Sequence, residues 1–167
     1  MIVRMSQIEE ADRERLRNAM ALHARGEIDA AIAEAEQAVA GSPEFGEAHA
    51  YLGNTLVTRK RRFADGLAEL DRAVELLPRD AGVRYTSGWC REFVANELAR
   101  PKRPHQAVDK DAAAFYADAR AEFLTALTLD PDEQTEGDIE DMLDVIANAT
   151  GEPWDETLRV KPKPRPR

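Results

Sequence analysis

Three histidines and one cysteine are the side chains of this 167-residue chain that are best suited to bind a metal ion or to act as a nucleophile. His23, His49 and His105 follow one another at intervals of 26 and 56 residues, and none has a second His or a Cys close to it in the sequence. Zinc sites usually take ligands from pairs that lie only a few residues apart. The spacing therefore predicts no metal site, and histidines that are either solvated or exposed in a groove.

The remaining motifs do not indicate catalysis either. Cys90 lies in a segment with helical periodicity, which favours a buried structural thiol over a nucleophile. The chain has no Gly-rich phosphate loop, no His–Glu metal spacing on one helix and no CxxC pair. The acidic run "DPDEQTEGDIEDMLD" lacks the ligand spacing of an EF-hand and is interpreted as a solvated helix face. We therefore expect a protein that is not an enzyme and needs no cofactor.

Charge and composition exclude further classes. A formal net charge of −9 and a pI of about 4.9 argue against nucleic-acid binding, which needs a basic surface. The single cysteine cannot form an internal disulfide, which is typical of a reducing compartment. The first residues lack an apolar core of signal-peptide length, and no segment approaches the length of a membrane span. We expect a soluble, cytoplasmic protein without an integral membrane segment.

A short phrase recurs three times in the chain: "AVAGSPEF" at 38–45, "AVELLPRD" at 73–80 and "ALTLDPDE" at 126–133. In each copy Pro is expected to stop a helix or to lie just beyond its end, because it has no amide hydrogen and its ring clashes with the preceding turn. Apolar residues recur at helical spacing before each phrase. Another apolar-periodic segment precedes each of these, at roughly 7–24, 46–60 and 82–99. The pattern predicts three helical hairpins in tandem.

Each of the three units carries small, apolar or aromatic residues and a proline that match one known repeat pattern. They are Gly26, Ala31, Ala38 and Pro43 in the first unit, Leu52, Gly53, Phe63, Ala73 and Pro78 in the second, and Gly88, Tyr116, Ala119, Phe123, Ala126 and Pro131 in the third. With this pattern the chain resembles tetratricopeptide repeat proteins, whose unit is a helix–turn–helix of 34 residues. The resemblance implies an all-α solenoid of antiparallel hairpins, in which small residues let the paired helices approach closely.

The units predict a single helical domain over residues 1–151. Its repeats span about 12–45, 46–80 and 81–133, a capping helix covers about 135–150, and a Pro-rich basic tail covers 152–167. The capping segment has the polar outer side that a terminal repeat needs, because its apolar residues share one face: Ile139, Met142, Leu143, Ile146 and Ala147. Gly151 is expected to end this helix.

Two units depart from the family pattern. In the first, Arg15 stands where the family has an aromatic residue, and Ala19 stands where Gly is usual. The third exceeds 34 residues by 19, and its segment "RPKRPHQ" at 100–106 contains two prolines that predict a solvated loop. We expect one helix to end near Ala99 and the next to begin near Asp109, so that both project beyond the array. A contact site in the loop stays open as an alternative.

Charge is unevenly distributed at the C-terminal end. Residues 130–157 hold 11 acidic and no basic side chains, whereas residues 158–167 hold 5 basic and no acidic ones. The tail "RVKPKPRPR" alternates Pro with basic residues and favours polyproline II over helix. Two interpretations stay open: a disordered tail, or a tail that docks on the acidic cap of a neighbouring chain, on an acidic partner or on a membrane surface.

The resemblance implies a concave groove lined by the first helix of each unit, which in this family holds peptides or protein segments. The groove residues implied by the family pattern are Arg13, Arg17, Met20, His23, Tyr51, Asn54, Thr58, Tyr85, Trp89, Glu92 and Phe93. We expect four aromatic residues to anchor a partner, since aromatic side chains supply much interface energy: Tyr51, Tyr85, Trp89 and Phe93. The alternative is that Trp89 and Phe93 are ordinary core residues.

One variant of the family grips the C-terminal carboxylate of chaperone tails with Lys, Asn and Arg side chains. In this chain five of those places hold other residues, namely Leu16, Met20, Tyr51, Gly82 and Thr86. They supply almost no charge-assisted donors, so we do not expect this chain to bind chaperone tails.

Two functions fit these features. The first is a non-catalytic protein–protein interaction module, an adaptor or chaperone-like assembly factor that binds a peptide or protein segment of unknown identity in the groove. The alternative is a structural protein that acts by self-association, as a homodimer formed through the third hairpin or the C-terminal tail.

Overall fold

The computed structural model describes residues 8–159, and this part of the chain is all-α, as predicted. Its seven α-helices are α1 (Glu10–Ala24), α2 (Ile28–Gly41), α3 (Gly46–Lys60), α4 (Phe63–Leu76), α5 (Ala81–Ala99), α6 (Ala112–Leu127) and α7 (Glu133–Thr150). A short 3-10 helix, Glu156–Leu158, follows them. Helices α2, α4 and α6 end two to four residues before the recurring prolines. Helix α7 ends at Gly151, whose φ of 75° lets it cap the helix in the left-handed conformation.

Packing follows the order of the chain. The most extensive contacts join α1 to α2, α3 to α4 and α5 to α6, and smaller ones join each of these hairpins to the next element. The first helices of successive hairpins also touch, because α3 packs against α5 and α5 against α7. This arrangement is consistent with a solenoid of helical hairpins, in which each unit contacts mainly its neighbours.

The second hairpin depends on two glycines where α3 crosses α4. A Cβ atom on Gly53 would lie 2.7 Å from the carbonyl oxygen of Gly66, and a Cβ atom on Gly66 would lie 2.7 Å from the carbonyl oxygen of Gly53. In the third hairpin, a Cβ atom on Gly88 would lie 2.9 Å from the Phe123 ring. The small residues at these positions are therefore required by the close approach of the helices.

The loop between α5 and α6 folds back onto the turn between α3 and α4. The Arg61 guanidinium pairs with Glu97 at 2.6 Å and donates to the carbonyl oxygen of Pro104 at 2.9 Å. The backbone N–H of Gln106 donates to the backbone carbonyl oxygen of Arg61 at 2.9 Å. The His105 ring stacks on the Phe63 ring, with centroids 4.8 Å apart. Residues 100–104 are exposed as predicted, but the end of the loop is held by the second hairpin.

The helices of the third hairpin are only slightly longer than those of the other two, although this unit has 19 residues more than a 34-residue repeat. Helix α5 has 19 residues against 15 in α3, which adds about one turn. It ends at Ala99 as predicted, whereas α6 begins at Ala112 after an Asp111 cap, slightly later than expected. Most of the additional residues lie in the loop that folds back, not in projecting helices.

The segment directly after α7, predicted as the start of the Pro-rich basic tail, packs against this helix. Trp154 is only 6% exposed, and its indole N–H donates to Asp144 at 2.9 Å. The Arg159 guanidinium lies 4.7 Å from the centre of the Trp154 ring and pairs with Asp144 at 2.9 Å and Glu140 at 3.4 Å. The first basic residue of the tail thus binds the acidic cap of its own chain. The polyproline II prediction concerns residues 160–167, which lie outside the described residues.

Candidate functional site

Side chains from α1, α3 and α5 line a cleft of about 480 Å³. The lining residues are His23, Asn54, Thr58, Arg59, Tyr85, Thr86 and Trp89. Five of them were expected in a groove from the sequence. The structure therefore brings together residues that lie on the first helices of three successive hairpins.

At the first-hairpin end of the cleft, Tyr51 is held by the helix it faces. Its hydroxyl donates to the Ala19 carbonyl oxygen at 3.3 Å and lies 3.1 Å from Nδ1 of His23. The two rings meet edge-on with centroids 5.9 Å apart. Burial raises the pKa of Tyr51 above its usual value. Tyr51 thus joins the first two hairpins, and it is His23 that faces the cleft.

The floor of the cleft is polar. The Thr58 hydroxyl donates to the backbone carbonyl oxygen of Asn54 at 2.8 Å. The Cys90 thiol donates to Oδ1 of Asn54 at 3.5 Å, which leaves the Asn54 amide hydrogens for a ligand. Burial raises the pKa of Cys90 to about 12, so this thiol stays protonated and acts as a donor at neutral pH.

One wall of the cleft is aromatic. Trp89 stacks on Phe93 with centroids 5.8 Å apart, and Phe93 meets Phe63 edge-on at 6.2 Å. Tyr85 packs on Phe123 at 5.8 Å. All three residues of α5 are half-buried against the C-terminal core, but only Tyr85 and Trp89 also line the cleft. The core interpretation therefore applies to Phe93, while Trp89 has one side in the core and one at the cleft.

Six of the eleven expected groove residues do not line the cleft: Tyr51 and Phe93, described above, and four more. Arg13 and Arg17 are exposed on α1, where the Arg13 guanidinium lies 5.5 Å from the Phe45 ring centre and Arg17 pairs with Glu10 at 2.8 Å. Met20 is 49% exposed. Glu92 is half-buried on α5. Its charge adds to the effect of burial in raising the pKa of Tyr116 on α6.

Sequence reasoning missed Arg59 and Thr86, which directly follow the expected Thr58 and Tyr85. A groove that winds slightly around the helix axes exposes such neighbours, so the helical period alone does not select between adjacent positions. It also missed α7 as a neighbour of the site. Helix α7 packs against α5, and the charge of Asp138 adds to the effect of burial in raising the pKa of Tyr85.

The other two histidines are neither solvated nor in the groove. His49 is buried, with Nδ1 at 2.6 Å from Glu69 and Nε2 at 2.8 Å from the Pro43 carbonyl oxygen. Burial alone lowers its pKa, but these two hydrogen bonds outweigh burial and raise the pKa above its usual value. His105 stacks on Phe63, as described above. Over residues 8–159, no group of three or more His, Cys, Asp or Glu side chains is placed to hold a metal ion.

A second concave surface, of about 490 Å³, lies between α6 and the end of α7. Four of its eleven lining residues are alanines of α6, namely Ala112, Ala113, Ala117 and Ala121. Its polar edge is formed by Arg120, which donates to the Glu152 carbonyl oxygen at 2.6 Å. Small side chains leave this surface open to close approach by another helix.

In the part of the chain that the structure describes, no helix combines the length and the apolar character that a membrane crossing requires. Comparison with protein-family models gives no match to this chain, and no curated protein sequence matches it either.

Proposed function

We propose that this protein is a tetratricopeptide-like, non-catalytic module that binds a peptide or protein segment in the cleft between α1, α3 and α5. The observation that carries the proposal is the convergence of His23, Asn54 and Trp89 on one cleft from three successive hairpins. An adaptor or assembly factor needs such a surface, which spans several units and presents different side chains from each.

Support for the tetratricopeptide assignment comes from the helix crossings. Ala19, Gly53 and Gly88 are spaced by 34 and 35 residues, and each is fully or almost fully buried on the first helix of its hairpin. The spacing equals the period of that family within one residue. The same period sets the first helices side by side and so forms the cleft.

The chemistry of the cleft suits a peptide. Tyr85 and Trp89 offer apolar contact area with few rotatable bonds to immobilise. The Asn54 amide and the Arg59 guanidinium can donate hydrogen bonds to backbone carbonyl oxygens or side chains of a bound segment. Packing and hydrogen bonds already fix Tyr85, Trp89 and Asn54, so little entropy is lost when a partner binds.

A pull-down from native lysate tests this function. The variant Arg59→Glu/Thr86→Lys blocks the cleft at two positions that lie outside the core. The control is Glu36→Lys, at an exposed position of α2. We expect a partner that the wild-type chain and the control retain and the blocked variant loses, with unchanged circular dichroism. A partner that all three proteins retain would show that the cleft is not the binding site.

Self-association is a second candidate, favoured by the alanine-lined surface between α6 and α7. A second copy of the chain could lay a helix on this surface. Light scattering after size-exclusion chromatography tests it with Ala117→Glu, an exposed position on that wall. Loss of a dimer in the variant supports self-association, and a wild-type monomer at high concentration contradicts it.

A further inference from the structure

The cleft does not end at α5, because α7 lies beside the aromatic wall. Helix α7 packs against both α5 and α6, and Asp138 is close enough to Tyr85 to affect its pKa. Asp141 and Val145 follow Asp138 at intervals of three and four residues, which puts them on the same side of the helix. Val145 is 44% exposed, one of the few large apolar side chains of the described residues that solvent reaches to this extent.

Glu92 lies on the α5 side of this region in an unusual environment for a carboxylate. It is half-buried, and it has no cationic partner among residues 8–159. Burial raises the pKa of Glu92 above its usual value, because the charged form loses contact with water. A cation brought by a ligand would compensate that loss.

The acidic side chains of α7 differ in their partners. Arg159 pairs with Glu140 and Asp144, on the side of α7 that faces the C-terminal segment. Asp138 accepts one hydrogen bond, from the Gln134 amide at 2.9 Å. Neither Asp138 nor Asp141 forms a salt bridge within the described part of the chain. Within residues 8–159, no salt bridge therefore neutralises the negative charge of Asp138 and Asp141.

We propose that Tyr85, Trp89 and Glu92 of α5 form, with Asp138 and Val145 of α7, an extension of the cleft that binds a segment of another protein carrying Lys or Arg next to an apolar side chain. This inference rests on the proposed function and names the chemistry of its ligand. The basic group pairs with Glu92 or Asp138, an arginine also stacks on the Trp89 ring, and the apolar side chain covers Val145. Arg59 is an exposed cation that lines the cleft between α1, α3 and α5, and it disfavours binding of the basic end of the ligand near it.

The test begins with a random dodecapeptide library displayed on phage and selected on the full chain. Peptides that bind the wild-type chain but not the blocked variant Arg59→Glu/Thr86→Lys are cleft binders. We expect these peptides to be enriched several-fold in Lys or Arg directly next to apolar residues. An absence of cleft binders would overturn the proposed function itself, whereas cleft binders that are neutral or acidic would overturn only this inference.

A selected peptide is then labelled and its Kd is measured by fluorescence anisotropy. We expect Glu92→Gln/Asp138→Asn to weaken binding about tenfold, by removing both charge-assisted contacts. The control Glu36→Gln/Asp109→Asn removes the same net charge at exposed positions outside the surface and should change Kd less than about twofold. Equal weakening in the two variants would show a nonspecific charge effect and overturn the assignment. Circular dichroism of both variants confirms that each is folded.

Discussion

The first and the third hairpins have the same arrangement of two antiparallel helices but differ in the side chains that form their cores. Between α1 and α2 the fully buried residues are alanines, including Ala19, Ala31 and Ala35, with only a few larger aliphatic side chains around them. Between α5 and α6 the core contains Phe115 and Phe123, and it continues through Ile139, Leu143 and Trp154. Apolar area removed from water is therefore much larger at the C-terminal end.

Helix capping differs in the same direction. Asp80, Asp111 and Asp132 each accept a hydrogen bond from a backbone amide in the first turn of α5, α6 and α7. None of α1 to α4 has a side-chain cap in the described structure. One repeat pattern can therefore build units of unequal stability. The pattern specifies the small residues at helix crossings but not the size of the other core side chains. We expect the first hairpin to open before the third.

Truncation of one core side chain in each hairpin should give the largest difference in the free energy of unfolding. Phe123→Ala removes a fully buried ring that contacts Gly88 and Tyr85, and should lower the free energy of unfolding by about 3–5 kcal/mol. Leu16→Ala in the first hairpin removes a smaller, almost fully buried side chain and should cost about 2–3 kcal/mol. Urea denaturation followed by circular dichroism measures both. A larger loss for Leu16→Ala would reverse the comparison.

The crossing of α3 and α4 lies between these regions and should respond to added volume. Gly53→Ala puts a methyl group 2.7 Å from the Gly66 carbonyl oxygen, so the helices must separate at a cost of about 1–3 kcal/mol. Gly137→Ala is the matched control, because a Cβ atom there meets nothing within 4 Å. It should stabilise α7 by about 0.5–1 kcal/mol through helix propensity. Thermal unfolding of the two variants should shift in opposite directions, and a stabilising Gly53→Ala would contradict the tight crossing.

The smallest expected effect depends on pH and concerns His49, at the junction of the first two hairpins. Its pKa is raised in the folded state, so its contribution to stability is complete below the unfolded value of 6.5 and is lost as pH rises through the folded pKa. The free energy of unfolding should therefore fall as the pH rises from below 6.5 through the folded pKa of His49. His49→Gln should remove this slope, whereas His23→Gln in the cleft should retain it. An unchanged slope in His49→Gln would place the titrating group elsewhere.

Local patterns predicted the helices well because their causes are local. Hydrogen bonds within a helix, the break at proline and the left-handed cap at Gly151 all act over a few residues. The close-packed Gly53 and Gly88 were also recognisable, since a recurring small residue on an apolar face indicates a crossing. The family resemblance implied Asn54, Thr58 and Tyr85 as groove residues, and these three side chains line the cleft between α1, α3 and α5.

Only the tertiary structure decided the contacts between segments far apart in the chain. Nothing near His49 in the sequence indicates Glu69 as its partner, and nothing near Arg61 indicates Glu97. One interpretation of the sequence put Arg159 in a disordered tail, yet its guanidinium pairs with Glu140 and stacks on the Trp154 ring. Such contacts depend on the angles at which helices pack and on where loops can return. The sequence by itself therefore determined the helices and their crossings, and long-range packing decided which side chains meet and which remain available to a partner.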